Sequence, residues 1–275
     1  TSYTNDPERQ SAGAALEQLQ LALAANVTYI DGGWQTLVDG LHTAAQAAGV
    51  QIETEKRVVA IEPESEPGKN GHHIRLGDGT RHTATAVIIA ASPSVAAGLV
   101  HNEAAPLLQQ WADEAIPVTA ACLDVALSSL PQPQTRFALG IDQPLYFFVH
   151  SDAAKLAPEG GAVIHVAKYV PPESSPGPET AEHECEQLLE LLQPGWRDVL
   201  VERRFLPNMV VTNAQVSAAT GGLAGRPGPA VPNMPNLYVI GDWVGPEGML
   251  VDASLASAKR AADMLLRAQQ AYSVA

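Results

Sequence analysis

Residues 236–266, NLYVIGDWVGPEGMLVDASLASAKRAADMLL, run an apolar strand into Gly241-Asp242, break in a Gly/Pro turn and continue as a helix rich in small residues. These residue types at this spacing can build a ligand site. The Asp242 carboxylate can accept hydrogen bonds from hydroxyl groups, and Gly241 lets another group approach the main chain closely. The helix beginning near Gly248 offers unpaired N–H donors and a partial positive charge, suited to an anionic group. In open α/β sheets ligands sit at this carboxyl edge of the strands. A hydroxyl-rich molecule bearing negative charge satisfies all three features, whereas the plainer alternative is a strand–turn–helix in which Asp242 only caps the helix.

The rest of the chain must hold that site. Asp6-Pro7 predicts a helix start, with good helix formers as far as Asn26. A second helix is expected over GGWQTLVDGLHTAAQAAG, where Trp34, Leu37, Val38, Leu41, Ala44, Ala45 and Ala48 keep helical spacing and Gly49 supplies a left-handed cap. VQIETEKRVVAIEPE reads as a strand, EPGKNG as a loop, and HHIRLGDGTRHT as a hairpin turning at Gly77-Asp78-Gly79. AVIIAA at 86–91 has the continuous apolar pattern of a strand covered on both faces, and Ser92-Pro93 can start the helix after it. IPVTAACLDVALSSL, TRFALG, PLYFFVH and GAVIHVAKYV predict a mostly antiparallel sheet, followed by the loop PPESSPGPE, a helix at 179–193 and a strand around VLVERRFL. TGGLAGRPGPAVPNMP is a long Gly/Pro connection to the final strand and helix. The fold class expected is α/β (α+β).

Composition excludes several functions. With 275 residues and 46% apolar content the chain can bury a real core. Its formal net charge of -14 repels phosphate backbones and anionic lipid surfaces, so nucleic acid is not an expected partner. Cys122 and Cys185 are far apart and form no Cys/His cluster, which argues against a disulfide framework or a zinc site and fits a reducing cytoplasm. The NVT sequon at Asn26 is read as chance, since no signal-peptide pattern precedes it. His72 and His73 are expected to be solvated on the hairpin, and His42, His101, His150, His165 and His183 are dispersed in sequence; no metal is expected. No GxSxG elbow is present. Arg203-Arg204 can bind an acidic substrate or stand solvated at a strand end.

NLYVIGDWVGPEGMLVDASLASAKRAA resembles the C-terminal flavin-binding segment of the family that contains phytoene desaturases, protoporphyrinogen oxidases and flavin amine oxidases. YIDGGWQTLVDGLHTAAQAAGVQIETEKRVVAIE is similar to that family's Gly-Gly helix and adenine-side strand, and DGTRHTATAVIIAASPS to its hairpin and returning strand. The three stretches lie in family order. The resemblance implies that Val58 pairs its main chain with the adenine of FAD. It also implies that Gly241 and Asp242 lie at the ribityl or diphosphate side, and that N–H groups from Gly248 and Met249 through Leu250 and Val251 face the flavin pyrimidine. There, negative charge gathers on reduction. Trp34 can approach the flavin or line the substrate cavity, or serve as a helix-start core aromatic, and Trp243 can likewise pack at the isoalloxazine edge or in the core. Ala258 departs from the Gly that relatives often carry.

The family's N-terminal strand with its GxGxxG diphosphate loop has no counterpart here, and the chain begins at Thr1 without Met. The expectation is therefore the C-terminal part of a longer flavoprotein, missing its N-terminal FAD-binding segment and holding FAD weakly or not at all by itself. An incomplete FAD-binding Rossmann-like domain, residues 31–100 and 226–275, would be interleaved with a mostly antiparallel-sheet substrate domain, residues 1–30 and 101–225. The implied activity is transfer of a hydride from a small, apolar substrate to FAD by a dehydrogenase, desaturase or oxidase, with LYFFV lining the cavity. The alternatives are a non-catalytic binding protein of the Rab GDP dissociation inhibitor kind, which resembles the same fold, and a nicotinamide-dependent dehydrogenase.

Overall fold

The computed structural model describes residues 4, 6–25, 27–64, 71–101, 104–170 and 177–274. The sequon Asn26, most of EPGKNG and the first six residues of PPESSPGPE lie outside the described residues. The chain forms two compact units: residues 1–7, 17–52 and 118–211 make the first, and residues 8–16, 53–117 and 212–275 the second. Contacts thus draw the boundaries at 52/53, 117/118 and 211/212, where the sequence reading draws them at 30/31, 100/101 and 225/226.

In the first unit, helix α1 (Ala12–Ala25) contributes its later turns and α2 is Trp34–Ala47. The expected start of α1 at Asp6-Pro7 is not observed. Ser11 donates its N–H to Val216 and Ala218 donates to Arg9, so residues 9–11 are held in extended pairing, and the helix begins only after Ser11 caps Ala14. The C-terminal cap of α2 is as expected: Gly49 at φ 82 closes the helix, with Val50 donating to Ala45 and Gly49 to Gln46.

Five strands follow in this unit: β5 (Val118–Leu127), β6 (Phe137–Leu139), β7 (Leu145–Val149), β8 (Ala162–Val170) and β9 (Leu200–Thr212). They form one sheet in the order β6-β7-β8-β5-β9, with β5, β6, β7 and β8 paired antiparallel. Period-2 alternation decides what each face carries. Leu123, Val125, Phe147, Val149, Ile164 and Val166 point to one side and pack with Cys185 and Leu189 of helix α5 (Pro178–Leu192). Both cysteines are free and buried, and burial pushes both thiols up to about 12, so neither is a ready nucleophile.

The second unit carries the hairpin of β1 (Val58–Pro63), β2 (His72–Leu76) and β3 (Arg81–Ala84), which turns where expected. Strand β4 (Val87–Ala90) leads to helix α3 (Pro93–Leu99), whose first turn is capped by the Ser92 hydroxyl accepting from Val95. Helix α4 (Ala105–Glu114) buries Leu108. Strand β10 (Leu237–Ile240) lies parallel to β4 as a two-stranded sheet, and α6 (Leu250–Val274) closes the chain. The expectation that residues 86–91 are covered on both faces fails: Ile89 is buried, but its neighbour Ile88, which points to the opposite face, is 39% exposed. His72 also departs from expectation. It is 1% exposed, Nε2 donates to the Pro235 carbonyl at 2.9 Å, and burial lowers its pKa, which keeps the imidazole neutral.

Gln193, fully buried just past α5, binds the 132–135 loop through three bonds: Oε1 accepts from Gln132 N, and Nε2 donates to the carbonyls of Gln132 and Thr135. Gln193→Leu keeps the volume and orphans those groups, so it should destabilise the protein by about 3 kcal/mol, read by urea unfolding.

Candidate functional site

At the carboxyl end of β10 the chain makes Gly241 at φ 154 and then buries Asp242 to 8% exposure. A Cβ at 241 would lie 2.9 Å from Trp243 Nε1, so the glycine is required by the close approach of its own neighbour. The Gly241 N–H donates to the Ser257 hydroxyl at 3.0 Å, fastening the strand end to the helix. Ala253, Ser257 and Ala261, four residues apart, are the buried stripe of α6.

The Asp242 carboxylate is well supplied with donors. Oδ2 accepts from the Thr212 hydroxyl and the Asn213 N–H, both at 2.8 Å, and Oδ1 accepts from Asn213 Nδ2 at 2.9 Å. A carboxylate has about four lone-pair positions, so one on Oδ1 remains beyond these three bonds. The Asp242 bonds go to Thr212 and Asn213 and not to the start of α6. Thr212 and Asn213 carried no signal in the sequence, since they join the site only through the fold.

Between β10 and α6 the backbone is unusual. Gly248 has φ 69, and a Cβ there would meet Asp252 Cβ at 2.9 Å and the Ala253 and Asp252 backbone at 3.1 Å. Leu250 has φ 53, a left-handed conformation that costs a branched residue about 1 kcal/mol. Met249 is buried, and its carbonyl accepts from Asp252 N–H, which leaves the N–H groups of Leu250 and Val251 in the first turn outside the helical ladder. The sequence reading missed Arg226. Its Nη1 donates to the Gly248 carbonyl at 2.9 Å, and its Nε is buried without a partner. Burial lowers its pKa, and the Asp242 carboxylate opposes that shift. A half-buried guanidinium, a carboxylate and helix-start N–H groups thus converge on one turn.

The remaining sequence-stated residues fall elsewhere. Trp243 is 3% exposed, donates Nε1–H to the Ala91 carbonyl and packs on Trp111, so it is a core residue of this unit. Val58 opens β1 opposite Leu76, and a register shift before Ala60 leaves Val59 outside the regular pairing. Trp34 is 56% exposed, which corrects its reading as a core aromatic. Arg203 is engaged by Glu182 and Glu186 of α5 and is not available to an acidic substrate. In the first unit, His150 and His165, distant in sequence, come within 5.2 Å of each other because β7 and β8 are neighbours. Among the described residues no group of three His, Cys, Asp or Glu could hold a metal ion, and no helix is long and apolar enough to cross a membrane.

Residues 2–266 match the family of flavin-containing amine oxidoreductases. No curated protein matches the sequence. Among solved structures, an oxidoreductase from Methanosarcina mazei is 24% identical with a TM-score of 0.59, covering 82% of this chain and 53% of its own. Putrescine oxidase bound to putrescine is 11% identical with a TM-score of 0.60, over 86% of this chain and 53% of its own. Reduced UDP-galactopyranose mutase is 12% identical with a TM-score of 0.60, over 80% and 48%. These likenesses establish a shared fold, and the chain spans about half the length of each.

The crowding at position 248 makes a direct test of the turn. Gly248→Ala should cost about 2 kcal/mol in thermal unfolding, because left-handed backbone and steric contact act together.

Proposed function

The chain belongs to the flavin-containing amine oxidoreductases over nearly its whole length, and from that premise we propose that it forms the carboxy-terminal part of an FAD-dependent oxidoreductase that takes a hydride from an apolar small molecule. The observation that carries this reading is the convergence after β10 of the Asp242 carboxylate, the Arg226 guanidinium and the first N–H groups of α6.

The residues present fit one portion of FAD. The buried, unpartnered Nε of Arg226 and the side-chain-free turn at Gly248 suit a flat group that carries negative charge, and the spare lone pair of Asp242 suits a hydroxyl. FAD, when bound, supplies the two-electron acceptor. Arg226 and the N–H groups of Met249, Leu250 and Val251 would hold the charge that reduction creates, and Asp242 would orient the hydroxyl chain. Main chain around Val58 would meet the adenine, consistent with the irregular pairing there.

The diphosphate has no cradle among these residues. We place it with an N-terminal segment that adds to this chain, and two findings support that. The chain covers about half of each matched structure. A parallel sheet of only β10 and β4 is also too small to stand alone, since parallel strands occur in larger sheets covered on both faces. The two free, buried thiols suit a reducing cytoplasm.

The test is a visible spectrum of the protein produced together with its upstream coding region, beside this chain by itself. The longer protein should retain flavin through gel filtration and this chain little or none. Asp242→Asn in the longer protein should weaken FAD retention about tenfold. Full flavin occupancy by this chain, or unchanged retention in the variant, would overturn the assignment.

A further inference from the structure

The five-stranded sheet of the first unit ends in two unlike edges. At one, β6 is three residues long; at the other, β9 runs from Leu200 to Thr212. A long edge strand carries a row of unpaired N–H and C=O groups, ready to pair with another strand. The first part of β9 is open to that: residues 200–204 are all exposed, Val201 at 68%.

Ser128, just past β5, donates its N–H to Val199, and Gln215, past β9, donates to Ile116 ahead of β5, so the two strands run antiparallel. In such a ladder the main-chain groups of successive residues turn to opposite sides. Val199 faces β5, so 201, 203 and 205 face it too, and Leu200, Glu202, Arg204 and Leu206 turn their N–H and C=O groups outward. Side chains alternate as well. Arg203 is ion-paired with Glu182 and Glu186 of α5 and Phe205 packs in the core on that side, whereas Leu206 packs on the opposite face. Glu202 and Arg204 therefore share the face away from α5. Both are exposed, and among the described residues neither side chain has a partner.

We propose that β9 pairs with β9 of a second copy of this protein, antiparallel about a two-fold axis at Arg203. The run Leu-Val-Glu-Arg-Arg-Phe-Leu at 200–206 is self-complementary in that register. Leu200 stands beside the partner's Leu206, Val201 beside the partner's Phe205, and Glu202 beside the partner's Arg204. Residues 202 and 204 then meet as hydrogen-bonded pairs and Arg203 meets its own copy as a non-hydrogen-bonded pair, the alternation an antiparallel ladder requires. Charge selects this register. A shift of two residues one way sets Glu202 opposite itself, and the other way Arg204 opposite itself, and like charges directly opposite destabilise a sheet. Arg203 brings no free charge to the axis, because Glu182 and Glu186 already neutralise it. Helix α5 lies over β5, β8 and β7, which leaves room beside β9. The contact is isologous, so one partner consumes the edge and association stops at two. This assembly stands apart from the flavin reading, whose residues lie in the second unit.

Light scattering on the full-length gene product over a concentration series reads the pairing. A short edge is a small interface, so the mass should climb from monomer to dimer with a Kd on the order of 10 µM. Glu202→Arg and Arg204→Glu should each weaken the dimer about tenfold, and the two together, which restore opposite charges in reversed order, should return it to within about twofold of wild type. Arg203→Cys should form an intermolecular disulfide on mild oxidation, since Cα atoms about 4.5 Å apart at a non-hydrogen-bonded pair suit that bond, while Glu202→Cys, offset from its own copy, should not. Both native cysteines are buried and do not compete. A mass that stays monomeric up to about 200 µM, single charge variants that dimerise like wild type, a double variant as weak as either single one, or disulfide formation equal or absent in both cysteine variants would each overturn the pairing. Any of those results leaves the flavin assignment standing, because the FAD retention test reads the other unit.

Discussion

An ionised carboxylate at 8% exposure costs several kcal/mol in lost hydration unless donors surround it. Asp242 is supplied by Thr212 and Asn213, which stand where β9 ends and the second unit resumes. That requirement ties Thr212 and Asn213 to the end of β10. Gly241 turns the chain, Ser257 ties the turn to α6, and Arg226 reaches the Gly248 carbonyl beneath the helix start. Position and charge in the turn are therefore one problem: removing the carboxylate would release the loop that Thr212 and Asn213 begin and strip the nearest counter-charge from a half-buried guanidinium.

Much of this was legible in the sequence, for local reasons. The strand LYVI, Gly241-Asp242, the Gly49 cap, the Ser92 cap and the Gly77–Gly79 turn each depend on residues next to one another, and the structure has all of them. What escaped was non-local. Arg226 sits in a Gly/Pro connection whose pattern says loop and nothing more, and its partner Gly248 lies 22 residues away. His72 alternates correctly on a polar hairpin, yet Pro235 covers it. α1 starts late because Val216 and Ala218 claim the backbone of residues 9–11, which no helix propensity foresees.

The same lesson holds in the sheet of the first unit. LYFFV was readable as an apolar strand with a face to offer, but the pairing of β7 with β8 and of β8 with β5 decides that His165 stands between Phe148 and Asp124. Two histidines that look dispersed in the sequence become neighbours through antiparallel register. Function in this fold is thus spread over short segments whose residue types are ordinary and whose meaning comes from what they are paired with.

The turn after β10 carries the central claim, that its acid, its guanidinium and its helix-start amides are aimed at one redox-active ring system. A crystal structure of the protein joined to its upstream segment and grown with FAD measures this directly. Isoalloxazine density should lie with its pyrimidine edge at the N–H groups of Met249, Leu250 and Val251, and Asp242 should stand within hydrogen-bonding distance of a cofactor hydroxyl. FAD bound elsewhere, with Asp242 still touching only Thr212 and Asn213, would contradict it.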